Sequence, residues 1–73
     1  MENQEWTCPV KPEDIPQQYN WVAQDYDGVW WAYTNKPFIK ENKKEWFEYG
    51  REIGTSHTKK NENWKESLMW IPR

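Results

Sequence analysis

The chain has 73 residues, of which 30% are charged, 36% are hydrophobic and seven are tryptophan. A chain of this length forms one small domain, which buries only about 60% of the surface that its unfolded chain exposes. The formal net charge of −2 argues against a dedicated binder of duplex nucleic acid, since neutralising phosphates needs an excess of basic groups. Because the chain has seven tryptophans and few aliphatic residues, its core must be largely aromatic, with some aromatic surface left for a partner.

Residues 1–18 are expected to form a polar arm, and residues 19–73 the single small domain. Three prolines interrupt the arm, namely Pro9, Pro12 and Pro16. Each proline fixes φ and removes a backbone donor, so neither a long helix nor a central strand fits. Trp6 either folds back on the domain, which we expect, or is presented to a partner. The first residues are polar and no apolar run follows them, so we expect no signal peptide and a location in the cytoplasm.

The clearest element is a β-hairpin formed by residues 19–25 and 29–34. Its connection, Asp25-Tyr26-Asp27-Gly28, fits a type I turn in which the glycine takes positive φ in a G1 bulge. This loop predicts the register in which Ala23 faces Trp31. Alternation then predicts that one face is the core side and that the mixed second face carries Trp30 as an exposed outlier. The predicted core side carries Trp21, Ala23, Val29, Trp31 and Tyr33.

The chain after the hairpin predicts further strands and one short helix. Residues 38–40 can start a third strand, and residues 46–49 alternate as a strand would, although a helix over residues 41–49 is the alternative. A strand over residues 51–53 is expected to end at Gly54, and a charged loop follows. Asn63 with Glu66 has the spacing of a capping box, which predicts one or two helical turns over residues 64–69.

These elements predict an α+β fold that is mostly β, with one short C-terminal helix. The small antiparallel sheet has three or four strands built on the hairpin. The predicted core consists of Trp21, Trp31, Tyr33, Ile53, Trp64 and Leu68.

Several short segments together resemble a pattern in small uncharacterised bacteriophage open reading frames. The segments are Asn20-Trp21-Val22-Ala23, Asp25-x-Asp27-Gly28, Lys36-Pro37, Ile53-Gly54 and Asn63-Trp64-Lys65-x-Ser67-Leu68. The resemblance covers roughly residues 14–69 and implies expression in the cytoplasm of an infected bacterium. It brings no catalytic residues with it.

The sequence offers little for catalysis or for metal binding. Cys8 and His57 are each the single residue of their type, which excludes an internal disulfide and a structural zinc site. His57 lies beside Ser56 in a polar loop and is expected to be solvated. We therefore expect no enzyme, no metal and no cofactor. Two means of stabilising so small a domain remain, namely the large area of its tryptophan and tyrosine side chains and self-association.

The sequence favours a non-catalytic phage accessory protein that binds and blocks a host protein, for example in counter-defence. Tryptophan, tyrosine and arginine concentrate binding energy in interfaces, so the candidate partner-binding residues are Trp30, Trp46, Tyr49, Arg51, Trp70 and Arg73. A homodimer is expected through Trp30 and the edge strand.

Two alternatives remain open. One is a binder of nucleotides or single-stranded nucleic acid, in which aromatic rings stack with bases beside lysines. Its residues would be Trp30, Phe38, Trp46, Phe47, Lys36, Lys40, Lys43 and Lys44. The other is a purely structural protein that associates only with itself. No membrane contact is expected.

Overall fold

The computed structural model describes residues 5–73, which form six strands. The strands are β1 (Trp21–Gln24), β2 (Val29–Tyr33), β3 (Phe38–Lys40), β4 (Glu45–Phe47), β5 (Glu52–His57) and β6 (Met69–Trp70). Four of them make one antiparallel sheet in the order β5-β2-β1-β6, and β3 pairs with β4 in a separate hairpin. The prediction of a mostly β protein is confirmed. Residues 1–4, on which part of the arm and leader predictions rests, lie outside the described residues.

The predicted hairpin forms in the predicted register. Ala23 lies opposite Trp31, and the N–H of Gly28 donates to the carbonyl of Asp25 at 2.9 Å. Gly28 has a φ of 98°, and a Cβ on it would collide with the backbone oxygen of Thr58. Both facts require glycine at this position.

The sheet is covered on both faces, which corrects the expectation of a mixed outer face. The first core contains Cys8, Ile15, Tyr19, Val22, Trp30, Ala32, Met69 and Ile71. The second core contains Ala23, Tyr33, Trp46 and Trp64, with Trp21, Trp31 and Leu68 packed against it. Trp30 is only 4% exposed, because the proline-rich segment and the residues after β6 cover its face. The expectation that Trp30 stands exposed is therefore wrong.

The residues predicted for the core fall into three groups. Tyr33 and Trp64 are buried, as predicted. Trp21, Trp31 and Leu68 are half-buried at the border of the second core. Ile53 is 40% exposed, since β5 is an outer strand of the sheet, and its assignment to the core is wrong.

The predicted C-terminal helix is not formed. Residues Trp64–Glu66 make only a 3-10 turn, and the side chain of Asn63 makes no capping hydrogen bond. Ser67 ends the turn, because its Oγ accepts from the N–H of Gln24 at 2.8 Å and directs the chain into β6. Here the long-range pairing of β6 with β1 overrides the local capping signal.

The strand interpretation of the middle of the chain is confirmed, and one strand is longer than expected. A 3-10 turn at Glu41–Lys43 stops at Lys44, whose φ of 53° is left-handed, and β4 follows. Gly54 does not end β5, which continues to His57 with a bulge opposite Trp30 and Trp31.

The N-terminal segment is part of the globule. The indole of Trp6 folds back as expected, packs against the first core and donates to the carbonyl of Val10 at 3.1 Å. Within residues 5–73, the chain has no helix with the length and apolar character that a membrane crossing requires.

Candidate partner-binding surface

The β3–β4 hairpin separates its side chains into an inner and an outer set. Ile39 lies opposite Trp46, and Phe38 lies opposite Phe47. Because side chains alternate along a strand, Ile39 and Trp46 pack into the second core and the two phenylalanines face outward. The hairpin therefore presents an aromatic pair on its outer face.

Tyr49 joins this pair to form an aromatic patch, defined as Phe38, Phe47 and Tyr49. The ring centroids of Phe38 and Phe47 are 5.7 Å apart in an edge-to-face arrangement. Tyr49 lies 5.0 Å from Phe47 at an interplanar angle of 90°, and 5.9 Å from Phe38. Tyr49 is 85% exposed and Phe38 44% exposed. The three rings order one another although solvent reaches them.

The carboxylate of Glu48 fixes the turn that carries Tyr49. One of its oxygens accepts from the N–H of Gly50, and the other accepts from the side-chain amide of Asn35 at 3.0 Å. A Cβ on Gly50 would approach Glu48 and the hydroxyl of Thr34 too closely. The turn is therefore held from two sides, and Tyr49 projects from a defined backbone.

Buried hydrogen bonds attach the β3–β4 hairpin to the rest of the domain. The N–H of Trp46 donates to Asp25 Oδ1 at 2.9 Å, and its indole N–H donates to the carbonyl of Trp64 at 3.2 Å. Sequence reasoning assigned Asp25 to its turn alone, and this second role was missed. The pKa of Asp25 is raised to about 6, mainly because the carboxyl group is buried. The hydrogen bond from Trp46 lowers this pKa, and nearby carboxylates such as Asp27 raise it.

Charges of both signs surround the aromatic patch. Lys40 places its ammonium 4.2 Å from the ring centroid of Phe47, a cation–π contact. On the acidic side, partial burial raises the pKa of Glu52, and the carboxylates of Glu45 and Glu48 add to the rise. The rim is therefore mixed in charge rather than uniformly basic.

The structure divides the six predicted partner-binding residues. Trp30 and Trp46 are buried, so neither indole is available on the surface. Tyr49 is exposed and belongs to the patch, and Arg51 is exposed two residues further along the chain. The other two are placed elsewhere. Trp70 is half-buried on β6 opposite Trp21, and Arg73 hydrogen-bonds the carbonyls of Pro16 and Tyr19 at 3.0 and 2.9 Å.

The two phenylalanines of the patch were assigned only to the nucleic-acid alternative. The signal that could have placed them is the two-residue alternation of Phe38-Ile39-Lys40 against Glu45-Trp46-Phe47. Once Ile39 and Trp46 are taken as the inner pair, the phenylalanines must face outward.

A separate cleft of about 380 Å³ lies between Tyr26 and Trp64. Lys44 lies 4.6 Å from the ring centroid of Tyr26, and Lys65 lies 5.8 Å from that of Trp64. Glu41 pairs with Lys65 at 2.8 Å and neutralises part of the positive charge. The cleft combines two aromatic rings with lysines and a second carboxylate, Glu62. Of the residues predicted for the nucleotide alternative, Lys44 lines this cleft, whereas Trp30 and Trp46 are buried.

The single histidine and the single cysteine lie in different surroundings. His57 is exposed, with Nε2 3.3 Å from the carbonyl oxygen of Asp27. Cys8 is buried, and burial raises the pKa of its thiol, which disfavours the reactive thiolate. Among residues 5–73, no three His, Cys, Asp or Glu side chains are placed to hold a metal ion.

Comparisons with protein-family models, with curated proteins and with solved structures give no match.

Proposed function

We propose that the protein is a non-catalytic binding module that docks its aromatic patch on another protein. The observation that carries the proposal is a cluster of three mutually packed rings, two exposed and one half-buried, in a chain whose two cores already enclose other aromatic side chains. Ordered aromatic rings give a large contact area at low entropic cost, and they are enriched among the residues that dominate interface energies.

The surroundings of the patch suit a protein partner better than a polyanion. Lys40 and Arg51 can meet acidic groups of a partner, while Glu45 and Glu48 can meet basic groups. A mixed rim of this kind sets orientation and excludes wrong partners. A nucleic acid would instead meet repulsion from the carboxylates.

The resemblance to small bacteriophage open reading frames makes a bacterial host protein the proposed partner. A domain this small acts most simply by occupying a surface that the host protein needs for its own function, such as a component of defence. In this proposal the protein works in the host cytoplasm and blocks by binding, without a chemical step.

The proposal is tested by quantitative affinity purification from the bacterial host with three tagged forms: wild type, Tyr49→Ala and Gln17→Ala. Tyr49 is 85% exposed, so its truncation should leave the fold intact. A central aromatic anchor contributes about 2 kcal/mol or more, which predicts binding about thirtyfold weaker. Gln17 is an exposed residue of the N-terminal segment and serves as the matched control.

The expected result is one host protein enriched by wild type and by Gln17→Ala but lost with Tyr49→Ala, and confirmed with purified components. Equal retention by all three forms would show that the patch is not the interface. Recovery of only the tagged protein, together with no growth or immunity phenotype on expression, would overturn the proposed inhibitor.

A nucleotide ligand is the second candidate, and the cleft between Tyr26 and Trp64 favours it. A stacked base would quench tryptophan emission, and a phosphate near Lys44 and Lys65 would make binding weaken as salt rises. Titration with a panel of nucleotides and short oligonucleotides tests this, with Lys44→Ala as the variant. Unchanged emission across the panel would remove the candidate.

A further inference from the structure

The strand β5 is the long outer edge of the four-stranded sheet. It has six residues, Glu52–His57, and it pairs with β2 on one side. The opposite edge strand, β6, has only two residues. Among the described residues, β5 is therefore the edge with the most backbone available for another strand.

The backbone of β5 directs alternate residues outward. The carbonyl of Arg51 accepts from the N–H of Thr34 at 3.1 Å, so residue 51 faces β2. Since hydrogen-bonding groups alternate in an antiparallel ladder, residue 53 also faces β2. Glu52 and Gly54 then direct their N–H and C=O groups away from the sheet. The two outward residues flank Ile53, which is 40% exposed.

This spacing is self-complementary. In an antiparallel pair of β5 strands, Glu52 of each copy can exchange hydrogen bonds with Gly54 of the other. Ile53 then lies opposite its own copy in the closer, non-hydrogen-bonded type of pair, with about 4.5 Å between the Cα atoms. The exposed isoleucine would become a buried aliphatic contact on the two-fold axis.

The charges along this edge also complement each other in an antiparallel pair. Glu52 begins β5, with the basic Arg51 before it, and Lys59 and Lys60 follow the end of the strand. A two-fold axis at Ile53 brings Glu52 of one copy towards the end of β5 in the other copy, which these lysines follow. Partial burial and the carboxylates of Glu45 and Glu48 raise the pKa of Glu52, and a cation of the second copy beside Glu52 would lower it again.

We propose that β5 is a self-association edge, at which two copies of the chain join antiparallel about Ile53 into one continuous eight-stranded sheet. The aromatic patch takes no part in this contact, so the dimer is independent of the proposed function.

Sedimentation at about 100 micromolar, a concentration suited to a small interface, distinguishes a dimer from the 9.1 kDa monomer. We expect wild type to be dimeric and Ile53→Asp to raise the dissociation constant at least tenfold. Phe38→Asp is the matched control, because Phe38 is similarly exposed at 44% but lies on the other hairpin, and it should leave the dimer intact. A monomeric wild type, or equal effects of both substitutions, would overturn the proposal.

Cross-linking tests the register without relying on a disruptive variant. A cysteine pair on the two-fold axis falls within the Cα separation that a disulfide accepts. Under mild oxidation, Ile53→Cys should form a covalent dimer at least ten times faster than Glu52→Cys, whose copies are further apart. Equal rates, or no covalent dimer from Ile53→Cys, would show that Ile53 does not lie on the axis.

Discussion

The carboxylate of Asp25 makes the stability of this fold depend on pH. Asp25 is 9% exposed, and its pKa rises from 3.8 to about 6. At pH values between these two pKa values, the folded state therefore holds the proton of Asp25 while the unfolded state has lost it. A raised pKa contributes stability below the unfolded value and loses it as pH rises through the folded value. At about 1.4 kcal/mol per pH unit, the loss between pH 4 and pH 7 should be about 2–3 kcal/mol.

The substitution Asp25→Asn isolates this effect, because the amide oxygen can still accept from the N–H of Trp46. We expect the variant to be more stable than wild type at pH 7 by up to about 3 kcal/mol, and the advantage to disappear as pH falls towards 4. Urea unfolding followed by tryptophan emission measures the difference at each pH. Asp14→Asn, at an exposed position, is the control. A difference that stays flat from pH 4 to pH 7, or a less stable variant at pH 7, would refute the reasoning.

Four further stability measurements test the packing. Ser67→Ala should cost about 1–3 kcal/mol because it leaves a buried N–H of β1 without its acceptor. Ser56→Ala should be neutral or stabilising, since the buried Oγ of Ser56 has no hydrogen-bond partner among the described residues. Trp30→Ala should cost about 3–5 kcal/mol and Trp31→Ala less, because Trp30 is buried and Trp31 is half-buried. The reverse order of unfolding midpoints would contradict the two cores. Gly28→Ala should lower the thermal midpoint sharply, because the left-handed φ and the adjacent backbone both exclude a Cβ.

The features that sequence predicted correctly have local determinants. The hairpin register follows from the four residues of one turn, and Gly28 takes the φ that its bulge demands. The alternation of residues 46–49 likewise predicted a strand. Each of these depends on neighbours in the chain, whose chemistry is visible in the sequence itself.

The features that sequence missed depend on distant pairing. Gly54 looked like a strand end, yet β2 continues to pair with β5 past it. The capping signal at Asn63 predicted a helix, yet Ser67 joins β1 instead. Trp30 looked like a surplus indole, because the proline-rich segment that covers it appeared polar. A few isolated apolar residues of that segment, such as Ile15, are enough to close a core.

Part of the candidate surface could be predicted from the sequence. Tyr49 and Arg51 were identified from residue type, since tyrosine and arginine are among the residues that concentrate binding energy in interfaces. Phe38 and Phe47 could be placed only after the inner pair of the hairpin was known. Trp46 was misplaced for the same reason, because its burial depends on Trp64, 18 positions further along the chain.

The first core joins the two ends of the described chain, and this has a consequence for synthesis on the ribosome. The face of β1 and β2 that carries Trp30 is covered by Cys8 and Ile15 from one side and by Met69 and Ile71 from the other. Translation delivers the early residues long before the late ones. Until Met69 and Ile71 leave the exit tunnel, this face stays open and the strand β1 lacks its partner β6. The first core therefore closes only once residues 69–71 are available to it, so it forms after the hairpin whose face it covers.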